Sequence, residues 1–311
     1  VFAGLALSTG IPKQPLSIAT LHPLPGGSLE MRTGDVMVAV EGIAFDDEDF
    51  SKRLDALPAA GHRQYTVLRD GREMTVTGPA LRPPRVGGIN PTGAAIETDL
   101  REGDVILSVD GVEMTVFGDL IAPVNAAEGR PITLRVWREG DVFDLALSPV
   151  RRDLPKAGGG FETRWLIGVN SGFFFAPELE TPGVFGAVGL GAGRIADLVV
   201  LTFSSLYHMV TGAISSCGVS GPIGIAQMSG TAASQGTMSF LMFIGLLSTA
   251  VGLLNLFPVP VLDGGHLVFF AYEAVTGRPP GDRALRVLMG IGVTLLVALM
   301  VFAVTNDLFC P

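Results

Sequence analysis

The segment from Asn255 to His266 carries the polar groups best placed for chemistry, in the order Asn-Leu-Phe-Pro-Val-Pro-Val-Leu-Asp-Gly-Gly-His. It follows directly on an apolar stretch, and its two prolines disfavour a helix, yet an apolar helical pattern resumes after it. Broken backbone at membrane depth needs a protein or wet environment, and a carboxylate there usually marks function. The pattern equally allows a loop at the membrane surface in which Asp263 is solvated.

Two uncharged apolar stretches, Met238–Phe257 and Val287–Val304, are long enough to cross a bilayer. The connection between them carries three arginines, which predicts that it is cytoplasmic and that the N-terminal half is outside the cytoplasm: Arg278, Arg283 and Arg286. A third stretch, Ile195–Ile214, is interrupted by polar residues, and we expect an amphipathic helix in the membrane interface. If it crossed the membrane instead, the N-terminal half would be cytoplasmic.

The bulk composition divides the chain into a soluble half and a lipid-soluble half. Hydrophobic residues make up 48% of the 311 residues and charged residues only 16%, with most of the charge in residues 12–165 and little in 236–306. A net charge of −9 without a basic stripe excludes nucleic acid as a partner. Two cysteines, Cys217 and Cys310, are too few for a disulfide framework.

One unit of sequence occurs twice in the soluble half. Gly34–Gly42 reads Gly-Asp-Val-Met-Val-Ala-Val-Glu-Gly, and Gly103–Gly111, which is 69 residues later, reads Gly-Asp-Val-Ile-Leu-Ser-Val-Asp-Gly. Before Gly34 the offset is 68 residues, so that Leu21-His-Pro aligns with Ile89-Asn-Pro. The period is too long for a solenoid repeat, so each copy is expected to be a small domain.

Each copy contains short β-branched strands, acidic-Gly turn signals and one helix, at Asp49–Leu57 and Phe117–Ala126. This order resembles PDZ domains of bacterial envelope proteases, over residues 15–81 and 84–150. PDZ domains bind an extended peptide by strand addition and hold its carboxylate in backbone amides. The resemblance places the peptide-binding loops at Leu21–Gly27 and Ile89–Ala95, with four residues at their starts: Leu21, His22, Ile89 and Asn90.

The segment from Asn255 to Gly265 closely resembles the Asn-x-x-Pro-x-Pro-x-Leu-Asp-Gly motif of site-2 proteases, which are intramembrane zinc metalloproteases. With the two PDZ-like repeats and a Ser-Gly-Pro-Ile segment at Ser220, nearly the whole chain is similar to the regulator-of-sigma-E protease branch. The resemblance implies that Asp263 is a zinc ligand and that Asn255 positions substrate or stabilises the oxyanion. Ser220–Gly224 itself suggests a tight loop against the helices.

The sequence departs from that family in one respect. The family draws two further zinc ligands and its general base from a His-Glu-x-x-His motif, and no histidine of this chain is followed by Glu: His22, His62, His208 and His266. Catalytic zinc needs three protein ligands and an open position, which Asp263 alone does not provide. Val1–Leu7 reads as the end of an apolar helix, so we expect the motif upstream and this chain to be inactive alone.

The resemblance implies the C-terminal portion of a protease that cleaves transmembrane segments of single-span substrates, such as an anti-sigma factor, while the PDZ-like pair docks or gates substrate. The implied cofactor is Zn²⁺, the partners are the transmembrane substrate, peptide ligands and membrane lipid, and the location is the bacterial inner membrane with periplasmic PDZ domains. The alternative is a catalytically inactive, membrane-anchored PDZ adaptor, which a start codon upstream without His-Glu-x-x-His would favour.

The fold class expected is multi-domain, with two small β-rich PDZ-like domains followed by an α-helical transmembrane region. The expected parts are the end of a helix, two PDZ-like domains, a linker, a membrane-associated helix and loop, and a transmembrane pair with the motif: 1–12, 13–82, 83–152, 153–185, 186–236 and 237–311.

Overall fold

The computed structural model describes residues 1–90, 93–155, 160–212 and 220–309. The chain divides into two compact units. The β unit consists of Ser8–Leu154 and Thr163–Pro182, and the helical unit consists of Val1–Leu7, Pro155–Glu162 and Gly183–Pro311. A β-rich N-terminal part followed by helices is the architecture that the sequence predicts. Cys217 and Cys310 lie outside the described residues.

The chain begins with helix α1 (Phe2–Thr9) and strand β1 (Ile11–Pro12). The first module follows, with strands and one helix at β2 (Ile18–Leu21), β3 (Val36–Val40), β4 (Ile43–Ala44), α2 (Phe50–Asp55), β5 (His62–Arg69) and β6 (Arg72–Pro79). The second module repeats that order at β7 (Val86–Ile89), β8 (Val105–Val109), β9 (Val112–Glu113), α3 (Ile121–Ala126), β10 (Ile132–Arg138) and β11 (Asp141–Leu147).

The two modules share one sheet topology, which confirms the sequence repeat. Their antiparallel sheets have the orders β4-β3-β5-β6 and β9-β8-β10-β11. The acidic-Gly pairs at the hairpins all have positive φ at both residues, as type I′ turns require: Glu41-Gly42, Asp70-Gly71, Asp110-Gly111 and Glu139-Gly140. Each module has its own core, with Tyr65 of the first and Leu134 of the second fully buried at matching positions.

A buried ion pair also recurs at the 69-residue offset. Arg69 donates from Nε and Nη2 to the Asp35 carboxylate at 2.6 and 2.7 Å, and Arg138 donates to Asp104 at 2.7 and 2.8 Å. The two aspartates are 0% and 1% exposed. Bidentate charge-assisted pairs of this kind hold a fixed geometry. Each pair therefore ties the start of β3 or β8 to the end of the neighbouring strand, β5 or β10.

The stretch expected as a linker, 153–185, differs from that expectation because much of it is strand. Its elements are β12 (Val150–Pro155), β13 (Phe161–Leu166), β14 (Val169–Ser171), β15 (Phe175–Pro177) and β16 (Leu179–Glu180). β14 pairs with β7 of the second module and β15 with β2 of the first, in the same register and with an irregularity at the same place. β16 pairs with β1. Both modules are therefore completed by residues that follow them in sequence.

The helical unit contains α4 (Val184–Val210), α5 (Pro222–Ser234), α6 (Thr237–Asn255), α7 (Asp263–Thr276) and α8 (Asp282–Phe309). Three of these are long and apolar enough to cross a membrane, namely α4, α6 and α8. Two correspond to the predicted spans. The third, α4, begins well before the interface helix expected at Ile195–Ile214, and its length and composition allow a crossing.

Helix α1 packs on two glycines of the helical unit. A Cβ at Gly191 of α4 would lie 3.2 Å from the backbone nitrogen of Ala3, and one at Gly245 of α6 would lie 3.1 Å from Val1 Cγ1. Both positions are buried. Because small residues let apolar helices approach closely, these glycines bring α1 against α4 and α6.

Candidate functional site

The predicted interruption of the apolar helix is present between α6 and α7. α6 ends at Asn255, and α7 begins at Asp263. Pro258 and Pro260 have no backbone N–H to continue a helix, and the intervening chain turns on two short contacts, from Val259 N to Phe257 O at 2.7 Å and from Leu262 N to Val259 O at 2.8 Å. We refer to residues 256–262 as the break. It places Asn255 and Asp263 on its two sides.

Two glycines at the start of α7 allow the break to fold tightly against that helix. A Cβ at Gly264 would lie 2.2 Å from the Leu256 carbonyl oxygen, and one at Gly265 would lie 2.2 Å from the Val259 carbonyl oxygen. Both glycines are buried. The space beside them is thus filled by carbonyl groups of the chain itself, so that these glycines serve packing of the break.

The break also contacts neighbouring helices. A Cβ at Gly292 of α8 would lie 2.5 Å from Val261 Cγ2, and the Phe257 ring stacks on Phe203 of α4 with centroids 5.8 Å apart. The break is consequently held between α4 and α8, which limits how far Asn255 and Asp263 can move.

Asp263 is the first residue of α7, where the positive end of the helix dipole favours a carboxylate. Its side chain is exposed, and within the described part of the chain it has neither a hydrogen bond nor a salt bridge. Asn255 is half-buried at the end of α6. His266, one turn after Asp263, is exposed and meets Phe269 edge-on at 6.0 Å between ring centroids.

A zinc site does not fit the side chains that the structure describes. Over residues 1–90, 93–155, 160–212 and 220–309, no group of three or more His, Cys, Asp or Glu residues is placed to hold a metal ion. Asp263 offers one carboxylate, whereas catalytic zinc takes three protein ligands. The described residues therefore contain no complete metal centre.

The sequence analysis missed the partner of the Ser220–Gly224 segment. The Asp307 carboxylate, near the end of α8, accepts hydrogen bonds from the backbone N–H groups of Gly221, Ile223 and Gly224 at 2.8, 3.0 and 3.2 Å. A Cβ at Gly221 would meet Asp307 Oδ2 at 2.6 Å. The expected tight loop is instead the beginning of a helix, because residues 222–224 form the first turn of α5, which Asp307 of another helix caps. Its glycines were the available signal, but nothing local pointed to Asp307.

The main chain of the four residues in the expected peptide-binding loops is already paired or hydrogen-bonded within the β unit. Leu21 pairs with Phe175 and Ile89 pairs with Val169. The His22 N–H donates to the Phe174 carbonyl at 2.9 Å, and the Asn90 N–H donates to the Gly168 carbonyl at 2.7 Å. A peptide that paired with these groups would have to displace β14 or β15. Pro91 and Thr92 of the second loop lie outside the described residues.

Half-buried His22 lies near the Arg85 guanidinium. Burial, and then the positive charge of Arg85, hold the pKa of His22 below its ordinary value. Burial likewise lowers the pKa of Arg85. The lowered pKa of His22 favours the neutral form of its imidazole.

Comparison with known proteins agrees with the motif. The model of peptidase family M50 matches residues 5–299. A protein of Rhizobium meliloti (strain 1021), provisionally named a zinc metalloprotease, is 39% identical over 238 residues, which cover 75% of this chain and 63% of that protein. The regulator of sigma-E protease of Salmonella typhimurium (strain 14028s) is 32% identical over 309 residues, which cover 89% of this chain and 67% of that protein.

Among solved structures, the PDZ domain of an SdrC-like protein from Listeria monocytogenes is similar to part of the chain. It covers 29% of this chain and 87% of its own length at 14% identity, with a TM-score of 0.23 that supports no argument about function. The chain spans less than two thirds of the length of the Rhizobium relative. Since the family model covers nearly all of it and the motif surrounds the break, the chain belongs to peptidase family M50, the site-2 proteases.

Proposed function

We propose that this chain is the C-terminal portion of an intramembrane zinc metalloprotease that cleaves a transmembrane segment of a single-span substrate of the anti-sigma-factor kind. The observation that carries the proposal is Asp263, an exposed carboxylate without a described partner at the start of α7, where an apolar helix is broken. A carboxylate within a membrane is energetically costly, and its presence there usually marks a functional site. Family membership and the named relatives support a metalloprotease.

In this proposal Asp263 contributes one ligand to a Zn²⁺ site whose other ligands come from residues outside this chain. The tight packing of Gly264 and Gly265 on the break keeps the first turn of α7 in place and so orients the carboxylate. The hydrolytic step belongs to the complete protein.

Asn255 is proposed to hydrogen-bond the substrate carbonyl on the other side of the break. A carboxamide is a poor ligand for zinc and a good donor to developing negative charge. The half-buried position of Asn255 at the end of α6 restricts its rotamers while leaving one face accessible. Asn255 and Asp263 are thereby given separate tasks, which the following experiment distinguishes.

The test uses the complete protein with Asp263→Ala, Asn255→Ala and, as a matched control, Asp282→Ala, since Asp282 is also an exposed aspartate at the start of a helix. We expect Asp263→Ala to lose both bound zinc and cleavage of a single-span substrate. Asn255→Ala should keep zinc and lose about 10²–10³-fold in rate, and Asp282→Ala should keep both. Full zinc occupancy in Asp263→Ala would refute the ligand assignment.

The second candidate is a membrane-anchored adaptor that uses the β unit for docking and has no catalytic site. Its support is the lack of any His-Glu-x-x-His motif in this sequence. The same zinc measurement separates the two candidates: stoichiometric zinc in the complete protein favours the protease, and its absence favours the adaptor.

We further propose an inner-membrane location with α4 in the membrane interface and not across it, and with the β unit in the periplasm, where the two modules dock or gate substrate and bind peptide. The support is the arginine-rich connection between the apolar spans, with Arg278 before α8 and Arg283 and Arg286 in the first turns of α8, which favours the cytoplasmic side. A reporter that is active only outside the cytoplasm should work when fused after Val150. Activity of that reporter in the arginine-rich connection, and not after Val150, would reverse the orientation.

A further inference from the structure

Arg85 is a buried cation without a described salt bridge at the start of the second module. It is 7% exposed, and its Nε is fully buried without a hydrogen-bond partner. Within the described part of the chain it forms no salt bridge, and Glu102 acts on it only at a distance. A buried charge with no partner is destabilising, so the position calls for an explanation other than the stability of the fold.

The first module shows which residues lie at the position equivalent to Arg85. The residue that corresponds to Arg85 is Ser17, because each forms an isolated bridge to the matching central strand, Ser17 to Val36 and Arg85 to Val105. The Ser17 carbonyl accepts a hydrogen bond from the backbone N–H of Glu178 at 2.8 Å, just as the Arg85 carbonyl accepts one from the backbone N–H of Gly172 at 3.0 Å. Gly172 therefore stands where the first module has Glu178.

In the first module the Glu178 carboxylate completes a closed polar cluster. It accepts hydrogen bonds from the Ser17 hydroxyl at 2.8 Å and from Lys13 Nζ at 3.2 Å. The Ser17 hydroxyl and the neighbouring positive charge hold the pKa of Glu178 below its ordinary value. The second module has the cation but not the carboxylate, because Gly172 has no side chain.

The guanidinium lies over the backbone where that carboxylate is missing. A Cβ at Gly172 would be 2.6 Å from Arg85 Nη1, and one at Gly103 would be 3.7 Å from Nη2. Gly172 directly follows β14, which among the described strands pairs with β7 alone. The charge thus lies at the end of a strand whose other edge is open to main-chain pairing.

We propose that Arg85 anchors a carboxylate of an extended peptide that docks at the end of β14. A guanidinium offers parallel N–H donors that match a carboxylate, and strand pairing would bring such a group to Gly172. The carboxylate comes either from the C-terminus of the peptide or from an acidic side chain within it. The inference rests on the proposed docking role of the β unit and adds the charge that this unit selects.

The experiment measures binding of three hexapeptides of otherwise equal sequence to the 311-residue chain in detergent micelles, by anisotropy of an uncharged N-terminal dye. One peptide has a free C-terminal carboxylate, one is amidated, and one is amidated with an internal Glu. We expect the amidated peptide without Glu to bind at least about tenfold more weakly than one of the carboxylate peptides, since hydrogen bonds to charged groups contribute on this scale. Which of those two binds identifies the source of the carboxylate.

Three variants test the anchor itself. Arg85→Met should remove the preference for a carboxylate, while Arg82→Met, which deletes the same charge three residues earlier, should leave it within about twofold. Gly172→Glu should supply an internal carboxylate and abolish binding while circular dichroism shows an unchanged fold. This second variant keeps the anchor testable even if Arg85→Met folds poorly. A Cβ at Gly172 would lie 2.6 Å from the end of the flexible Arg85 side chain and 3.1 and 3.3 Å from the Gly87 backbone, so the substitution needs a shift of a few tenths of an ångström.

Two results would overturn the inference. Equal preference for a carboxylate in Arg85→Met and in the unaltered chain would refute the role of Arg85 as the anchor but leave peptide docking intact. If none of the three peptides binds to the unaltered chain, the proposed docking role is refuted as well. Neither result bears on zinc binding by Asp263.

Discussion

The buried ion pair of the second module offers the most quantitative test of the fold. Asp104 is 1% exposed and accepts hydrogen bonds from Arg138 Nε and Nη2 at 2.7 and 2.8 Å and from the backbone N–H of Arg101 at 2.8 Å. The hydrogen bonds from Arg138 to Asp104, with a smaller contribution from Asp99, raise the pKa of Arg138 above its ordinary value. Asp104→Ala removes all three hydrogen bonds and leaves a cation with too few partners.

The expected cost is about 3 kcal/mol, at the lower end of the range for breaking a buried pair. It lies at the lower end because Arg138 keeps the Asp99 carboxylate at 3.0 Å and the Asp99 carbonyl at 2.6 Å, and its side chain is 22% exposed. With a urea m-value of about 1–3 kcal/mol per M for a small domain, the midpoint should fall by roughly 1–3 M.

Tryptophan fluorescence reports on this module selectively, because the two tryptophans of the chain, Trp137 and Trp165, both pack in it. Urea unfolding in detergent micelles is therefore followed at tryptophan emission. The control is Arg101→Ala, which breaks the exposed pair with Asp99 (64% and 63% side-chain exposure) and should change stability by less than about 0.5 kcal/mol. Equal midpoints for Asp104→Ala and Arg101→Ala would refute the reasoning.

Two further perturbations test the break and the module junction. Gly264→Ala places a methyl group 2.2 Å from the Leu256 carbonyl oxygen and should cost about 1–3 kcal/mol of stability. The control Gly252→Ala, with nothing within 4 Å of the added methyl group, should gain up to about 1 kcal/mol from helix propensity. Thermal midpoints measured by circular dichroism compare the two variants, and a midpoint for Gly264→Ala at or above that of Gly252→Ala would contradict the tight packing of the break. The folded-state pKa of His22 is lowered from 6.5, so the unfolded chain binds the proton more readily, and stability should fall as pH drops below about 6.5 towards the folded-state pKa. His22→Gln should weaken the pH dependence of stability between about pH 8 and about pH 5, while the control His62→Gln, at an exposed histidine, should leave it unchanged. Identical pH profiles for the two variants would show that burial of His22 does not cause the pH dependence.

Local patterns in the sequence were sufficient for the repeat and its hairpins. An acidic residue followed by Gly is among the few combinations that adopt positive φ at two successive positions, so Asp110-Gly111 and Glu139-Gly140 mark turns without knowledge of the fold. The break was equally legible, because Pro258 and Pro260 forbid a helix by covalent structure. The identity of Asp263 and Asn255 as candidate site residues came from a motif, and their ligand and donor roles stay predictions.

The contacts between distant segments were decided only by the tertiary structure. β14 and β15 are three-residue strands with no periodic signal of their own, and they pair because the open edges of β7 and β2 supply backbone partners about eighty and about one hundred and fifty residues earlier in the chain. The cap on α5 depends on Asp307, 86 residues after Gly221. Turns and helix breaks follow from the covalent preferences of adjacent residues, whereas strand partners and the charges around Arg85 depend on which segments meet in space, and no local pattern records that.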